Sequence, residues 1–262
     1  SLLMVHSKIP EAYWDLESMV SLGWQVREVR AWQGEYERVL QGHMDQGKKI
    51  LWRAEFPKAA VKVKMHERER GVARDIIREA KKGYSCLVIG RKGMGKVKDL
   101  ALGSVSNKLL EKITFVPLIV VGKDPRPGTL LLALDGSECS MRAVDCVGNL
   151  LGGSDYDVGL IHVIRGDKGA FVKEAKERIT KVFDEVKGRL VKSGFGSDQV
   201  TTKIITGAQS RAGAIVQEAK EGGYGTIVMG RRGLSKVQEF FMGRVSNKVI
   251  QMAKGQAVWI VS

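Results

Sequence analysis

In the C-terminal half of the chain, short apolar runs alternate with longer stretches in which apolar residues recur every three or four positions. The runs Leu130 to Leu134, Val158 to Val163, Thr201 to Ile205, Thr226 to Met229 and Ala257 to Val261 lack the strict alternation of a sheet wetted on one side. Such runs predict strands covered on both faces. The segments between them, Ala170 to Lys192 among them, carry helical spacing. Ser137, just beyond Asp135 and Gly136, is placed to cap a helix N-terminus through its hydroxyl. Strands separated by helices predict a parallel α/β sheet with right-handed crossovers.

The pattern occurs twice. Residues 90–121 and 230–261 align without a gap at an offset of 140, and the glycines at 90, 93 and 103 meet those at 230, 233 and 243. Upstream, Ile76 to Gly90 resembles Ile215 to Gly230 with one extra glycine in the second copy, and the run around His6 resembles the run around His162. Repetition of a whole supersecondary unit predicts two domains of one fold. Lys123 to Gly128, which holds two of the five prolines, reads as the linker. The domains expected are therefore residues 1–124 and 128–262.

The copies differ in two places. His6 lies 84 positions before Gly90, and His162 lies 68 before Gly230, so the first copy carries 16 extra residues. They are assigned to Glu11 to Gln33, which has Trp14, Trp24 and Trp32 and is expected to pack on its own domain. The second copy opens with a strand ending at Asp135 and a helix after Ser137, and the first copy has no counterpart. A sheet without its central first strand would expose a wide apolar surface. Either the natural chain begins earlier or the first domain has lost these elements, and the exposed surface makes the former the expectation.

Composition narrows the class. With 44% hydrophobic and 27% charged residues the chain is neither disordered nor collagen-like. No apolar run approaches the roughly 20 residues of a membrane helix, and no basic and apolar leader opens the sequence, so a cytoplasmic protein is expected. The formal charge of +14 attracts polyanions. The cations are spread along helices (Lys173, Lys176, Arg178, Lys181, Lys187), which argues against a nucleic-acid surface. Cys86, Cys139 and Cys146 show no CxxC spacing and read as thiols, with Cys139 and Cys146 sharing a helix face in the core.

Chemistry concentrates in Gly90-x2-Gly93-x9-Gly103-Ser104 and Gly230-x2-Gly233-x9-Gly243-Arg244. Each follows an apolar strand and leads into a helix beginning V-S-N-K. Ligands of open parallel sheets sit beyond the carboxyl ends of strands, where a glycine turn leaves backbone N–H groups uncovered. The third glycine opens a helix whose free amides and positive dipole end favour an anion. Together they predict a cradle for phosphates. The spacing is neither the dinucleotide fingerprint nor a Walker loop. Arg91, Lys92, Arg231 and Arg232 lie inside the loops, either complementing phosphate or simply exposed.

Gly-x2-Gly-x9-Gly-Ser/Thr resembles the signature of the universal stress protein family in its tandem form, along nearly the whole chain. The resemblance implies two tandem five-stranded parallel-sheet sandwiches of the Rossmann-like, adenine nucleotide alpha hydrolase type. It implies a stress-response protein binding ATP, with Mg2+ drawn by the phosphates. Adenine would lie near Asp135 and Val163, and ribose and phosphates on Gly230, Gly233, Gly243, Val245 and Ser246. In the first copy the matching loop residues are Gly90, Gly93, Gly103, Ser104, Val105 and Ser106. Two departures stand out: Arg244 replaces the family's hydroxyl residue, and the first copy lacks its opening Asp.

The residues favour a nucleotide-binding regulatory module with slow or no hydrolysis, since no nucleophile elbow, HExxH or evident general base is present. His6 and His162 end apolar strands and are read as structural. The alternative is the same fold acting as an interaction module without nucleotide, for which Arg244 is the best support. An adenylating ligase is disfavoured because Asp135-Gly136-Ser137-Glu138 stands where its Ser-Gly-Gly-x-Asp-Ser loop belongs. The strands Pro117 to Val121 and Val258 to Val261 read as apolar edges. The resemblance implies that they join the domains as an intramolecular pseudo-dimer, and it leaves a homodimer of whole chains open.

Overall fold

The computed structural model describes residues 1–6, 23–92, 102–234 and 242–262. Two compact units divide the chain, Ser1–Glu79 and Ala80–Ser262. In the first, strands β1 (Leu2–His6) and β2 (Val63–Glu67) pair in parallel, and the helices are α1 (Gly23–Arg53) and α2 (Val72–Ala80). Of the insertion read at Glu11 to Gln33, residues 11–22 lie outside the described residues, and 23–33 open α1. That helix has 31 residues against 23 in its second-copy counterpart.

The second unit contains β3 (Leu87–Gly90), α3 (Ser104–Lys112), β4 (Leu118–Val121), β5 (Thr129–Ala133), α4 (Glu138–Leu151), β6 (Asp157–Val163), α5 (Ala170–Lys192), β7 (Val200–Ile205), α6 (Arg211–Glu221), β8 (Thr226–Gly230), α7 (Arg244–Met252) and β9 (Ala257–Val261). They build one seven-stranded sheet in the order β3-β4-β9-β8-β5-β6-β7. The five strands of the second copy are all parallel, as their apolar runs predict. Leu130, Leu131 and Leu132 on central β5 are fully buried, whereas edge strand β7 exposes Thr201, Thr202 and Lys203.

The helices cover this sheet through regular apolar spacing. On α5, Val172, Ala175, Ile179, Phe183, Val186 and Leu190 are buried, a stripe at three- and four-residue steps. Helix α4 starts where expected: the Ser137 hydroxyl accepts from Ser140 N. Cys146 packs in the core, and burial pushes its thiol up to about 11. Cys139 is only half-buried in the first turn, where Arg142 donates to its sulfur at 3.1 Å.

The two-unit division falls within the first repeat, not at Lys123 to Gly128, because β4 pairs with β9. Among the described residues this is the sheet's one antiparallel junction, with Leu118 opposite Ile260, Ile119 opposite Trp259 and Val120 opposite Val258. Strands β3 and β4 thereby continue the second copy's sheet. The repeat also shows in an ion pair: Lys64 reaches Glu79 at 2.6 Å, and Lys203 reaches Glu218 at 2.5 Å. Where β8 has neighbours on both sides, β3 pairs only with β4 among the described residues, and Val88 is 57% exposed.

Ile119 is buried opposite Trp259 at the junction. Replacing it by Asp puts a carboxylate into an apolar strand pair and should cost about 3 kcal/mol. A urea titration should show a clearly lowered midpoint for Ile119→Asp; a wild-type midpoint would mean the junction contributes little.

Candidate functional site

Beyond the carboxyl ends of β5, β6 and β8 lies a cavity of about 450 Å3. Its walls are strand-end residues Leu134, Asp135, His162, Val163 and Gly230, loop residues Arg232, Gly233 and Leu234, and the start of α7 from Gly243 to Ser246. Phe171, Arg178 and Arg211 close it from α5 and α6. Of the second-copy residues singled out by sequence, all but Arg231 line this cavity. The first-copy residues Gly90, Gly103, Ser104, Val105 and Ser106 are not part of its lining, and Gly93 lies outside the described residues.

Two glycines are needed for close approach. A Cβ at Gly230 would stand 2.7 Å from the carbonyl carbon of Cys139, where α4 begins, and a Cβ at Gly233 would collide with the Asp135 carboxylate. At Gly90, by contrast, a Cβ would meet only Lys92 O at 3.6 Å among the described residues.

Several amides expected to be bare are already engaged. Gly243 N donates to Arg231 O at 2.9 Å, and Leu234 N donates to Asp135 Oδ2 at 3.2 Å. The other oxygen of Asp135 accepts from Ser137 N at 3.0 Å, so this carboxylate closes the glycine loop onto the end of β5. The Ser246 hydroxyl donates to Gly230 O at 2.9 Å, as Ser106 does to Gly90 O at 3.0 Å. These serines pin helix to strand. Donors open to an anion include the first-turn amides of Arg244, Val245 and Ser246, which have no intrahelical acceptor.

Charge favours an anion as well. Arg178, Arg211, Arg232 and Arg244 line the cavity and are exposed, and Asp135 is the one carboxylate among its described lining residues. The Arg211 Nε donates to Val163 O at 3.2 Å, which places a cation at the strand end where the resemblance puts the base. Sequence reasoning passed over Phe171, Arg178 and Arg211. The one local signal was a 70% exposed aromatic at the start of α5, and exposure is not legible from sequence.

The three other loop cations diverge. Lys92 is exposed. Arg91 and Arg231, read as alternatives between phosphate contact and exposure, are neither: both are buried, and both donate to main-chain carbonyls.

His162 lines the cavity and its Nδ1 lies 2.6 Å from Leu134 O, so that nitrogen carries the proton and donates. Burial chiefly lowers its pKa, and Arg211 and Arg178 push the same way against Leu134 and Asp135. A histidine depressed in the folded state adds stability above its unfolded pKa of about 6.5, lost as pH falls through that value towards the folded one. Wild-type thermal stability should therefore drop between pH 7 and pH 5.5 by more than that of His162→Gln. Parallel pH profiles would contradict this.

Comparison with known proteins identifies the family and the fold. The universal stress protein family model matches residues 18–122 and 128–262. Universal stress protein YxiE of Bacillus subtilis is 28% identical over 138 residues, covering 47% of this chain and 92% of YxiE. A universal stress protein from Archaeoglobus fulgidus superposes with a TM-score of 0.54 at 21% identity, covering 86% of this chain and 81% of its own. A Pseudomonas aeruginosa structure reaches a TM-score of 0.57 at 15% identity over 99% of this chain and 92% of its own, a likeness of fold. With the family pattern matched in both halves, the chain belongs to the universal stress protein family.

Proposed function

We propose that the second repeat binds ATP in the cavity beyond β5, β6 and β8, as a stress-response regulatory module with slow or no hydrolysis. The observation that carries this reading is the meeting of the α7 amides with four arginines in one cavity of about 450 Å3. That volume falls within the usual range for small-molecule sites, and a helix start flanked by guanidinium groups suits phosphate. The base would lie by Asp135 and Val163, with Phe171 beside it, the ribose along the glycine loop, and the phosphates against Arg244, Val245 and Ser246. Mg2+ would accompany the phosphates from solvent.

Slow chemistry is supported by the engagement of Asp135, both of whose oxygens accept amide hydrogen bonds, and by the depressed basicity of His162, whose Nε2 is its one basic nitrogen while Nδ1 donates to Leu134. The antiparallel β4–β9 pair supports a further part of the reading, that the repeats form an intramolecular pseudo-dimer. Among the described residues no helix is long and apolar enough to cross a membrane, which is compatible with work in the cytoplasm. A non-nucleotide interaction module draws its support from Leu234 N and Gly243 N, whose engagement leaves fewer donors for phosphate.

Equilibrium titration of the full chain with fluorescent ATP separates these readings. Micromolar affinity is expected, and no saturation at millimolar ATP would favour the interaction module. Gly233→Val, which forces the loop off Asp135, should weaken binding at least about tenfold, or ~1.4 kcal/mol. Arg244→Ser removes a phosphate-facing cation and should cost about 1 kcal/mol, with a shallower salt dependence. Tighter binding by Arg244→Ser would show instead that the arginine obstructs the pocket.

A further inference from the structure

The arginine that follows the first motif glycine is withdrawn from water in both repeats, with Arg231 2% exposed and Arg91 9% exposed. Arg231 donates to the carbonyls of Leu110 and Ile113, at the C-terminal end of α3, and its Nε donates to Ser262 Oγ at 2.6 Å. Arg91 donates to the carbonyls of Ile250 and, at 3.1 Å, Ala253, at the C-terminal end of α7. Leu110 and Ile113 occupy the repeat positions of Ile250 and Ala253, each pair 140 residues apart. The exchange is reciprocal: each loop arginine caps the last helix of the other repeat.

Physical chemistry favours this arrangement. The last carbonyls of a helix lack intrahelical donors and carry the negative end of its dipole. A guanidinium presents a planar fork that reaches two of them at once. Burial lowers the pKa of both arginines, yet a guanidinium remains charged, and the helix ends supply the compensating negative potential.

Backbone atoms of the same residues hold the opposite helix ends. Arg231 O accepts from Gly243 N, the N-cap of α7, and Arg91 O accepts from Gly103 N at 2.8 Å, the N-cap of α3. Helix α7 is therefore fixed at its start by Arg231 and at its end by Arg91, and α3 the other way round. Each helix has nine residues, a rod of roughly 13.5 Å that carries a displacement of one end to the other.

We propose that Arg91 and Arg231 are positioning residues that set the anion-binding turn of α7 from across the repeat boundary. The pocket of the second repeat is then complete only with the first repeat joined to it. The effect on ligand rests on the nucleotide reading above, and the effect on α7 does not.

The test uses the full chain as wild type, Arg91→Met and Arg91→Lys, each verified as folded by circular dichroism. Two quantities are measured: ATP affinity by calorimetry, and hydrogen exchange at the Gly243 and Asn247 amides, which bond to Arg231 O and Gly243 O. Arg91→Met should bind ATP about tenfold more weakly and exchange both amides faster. Arg91→Lys, which offers a point charge instead of a fork, should fall between it and wild type, and it serves if the Met variant does not fold. A folded variant with lowered melting temperature but wild-type affinity, or with unchanged exchange at Gly243 and Asn247, overturns the proposal. If wild type takes up no ATP, the nucleotide reading fails, and the exchange measurement alone decides for or against positioning by Arg91.

Discussion

The site depends on one short connection, the pinning of a helix start to a strand end. Ser246 donates to Gly230 O and Gly243 N to Arg231 O, so the first turn of α7 is held beside the carboxyl end of β8. Without that hold the orphan amides of the turn would have no fixed direction, and an anion would gain little from them. Ser106 and Gly103 make the same two bonds to Gly90 O and Arg91 O. The device belongs to the repeat, while the cavity belongs to its surroundings, since only the second copy adds Asp135 and the strand ends of β5 and β6.

The joining of the repeats follows from similar economy. Two strands that would otherwise be apolar edges, β4 and β9, satisfy each other's backbone groups. Helices α3 and α7 then have their terminal carbonyls within reach of the opposite loop arginines. Motif residues thus divide by orientation, with Arg232 and Arg244 turned towards the cavity and Arg91 and Arg231 towards the junction.

The strands of the second copy, the N-cap at Ser137, the glycine-loop repeat and the apolar character of β4 and β9 were readable in the sequence, because each expresses local pattern or self-similarity. The fate of particular donors was not. Arg231 meets Leu110, 121 residues away, and Arg91 meets Ala253, 162 residues away. Nothing near Gly243 or Leu234 announces that their amides are taken, since Asp135 lies 99 residues before Leu234. Glycine was read as uncovering amides, whereas Gly230 and Gly233 make room for the start of α4 and for a carboxylate. The arginines of α5 and α6 looked like any solvated helix cations, and only the packing of those helices brings them to the cavity mouth.

The central claim is that one cavity, in the second repeat, holds a nucleotide. Native mass spectrometry of the full chain purified without added ligand, then supplemented with excess ATP and Mg2+, tests this directly. One adenine nucleotide per chain is the predicted result; a chain that stays bare under excess ATP would contradict it.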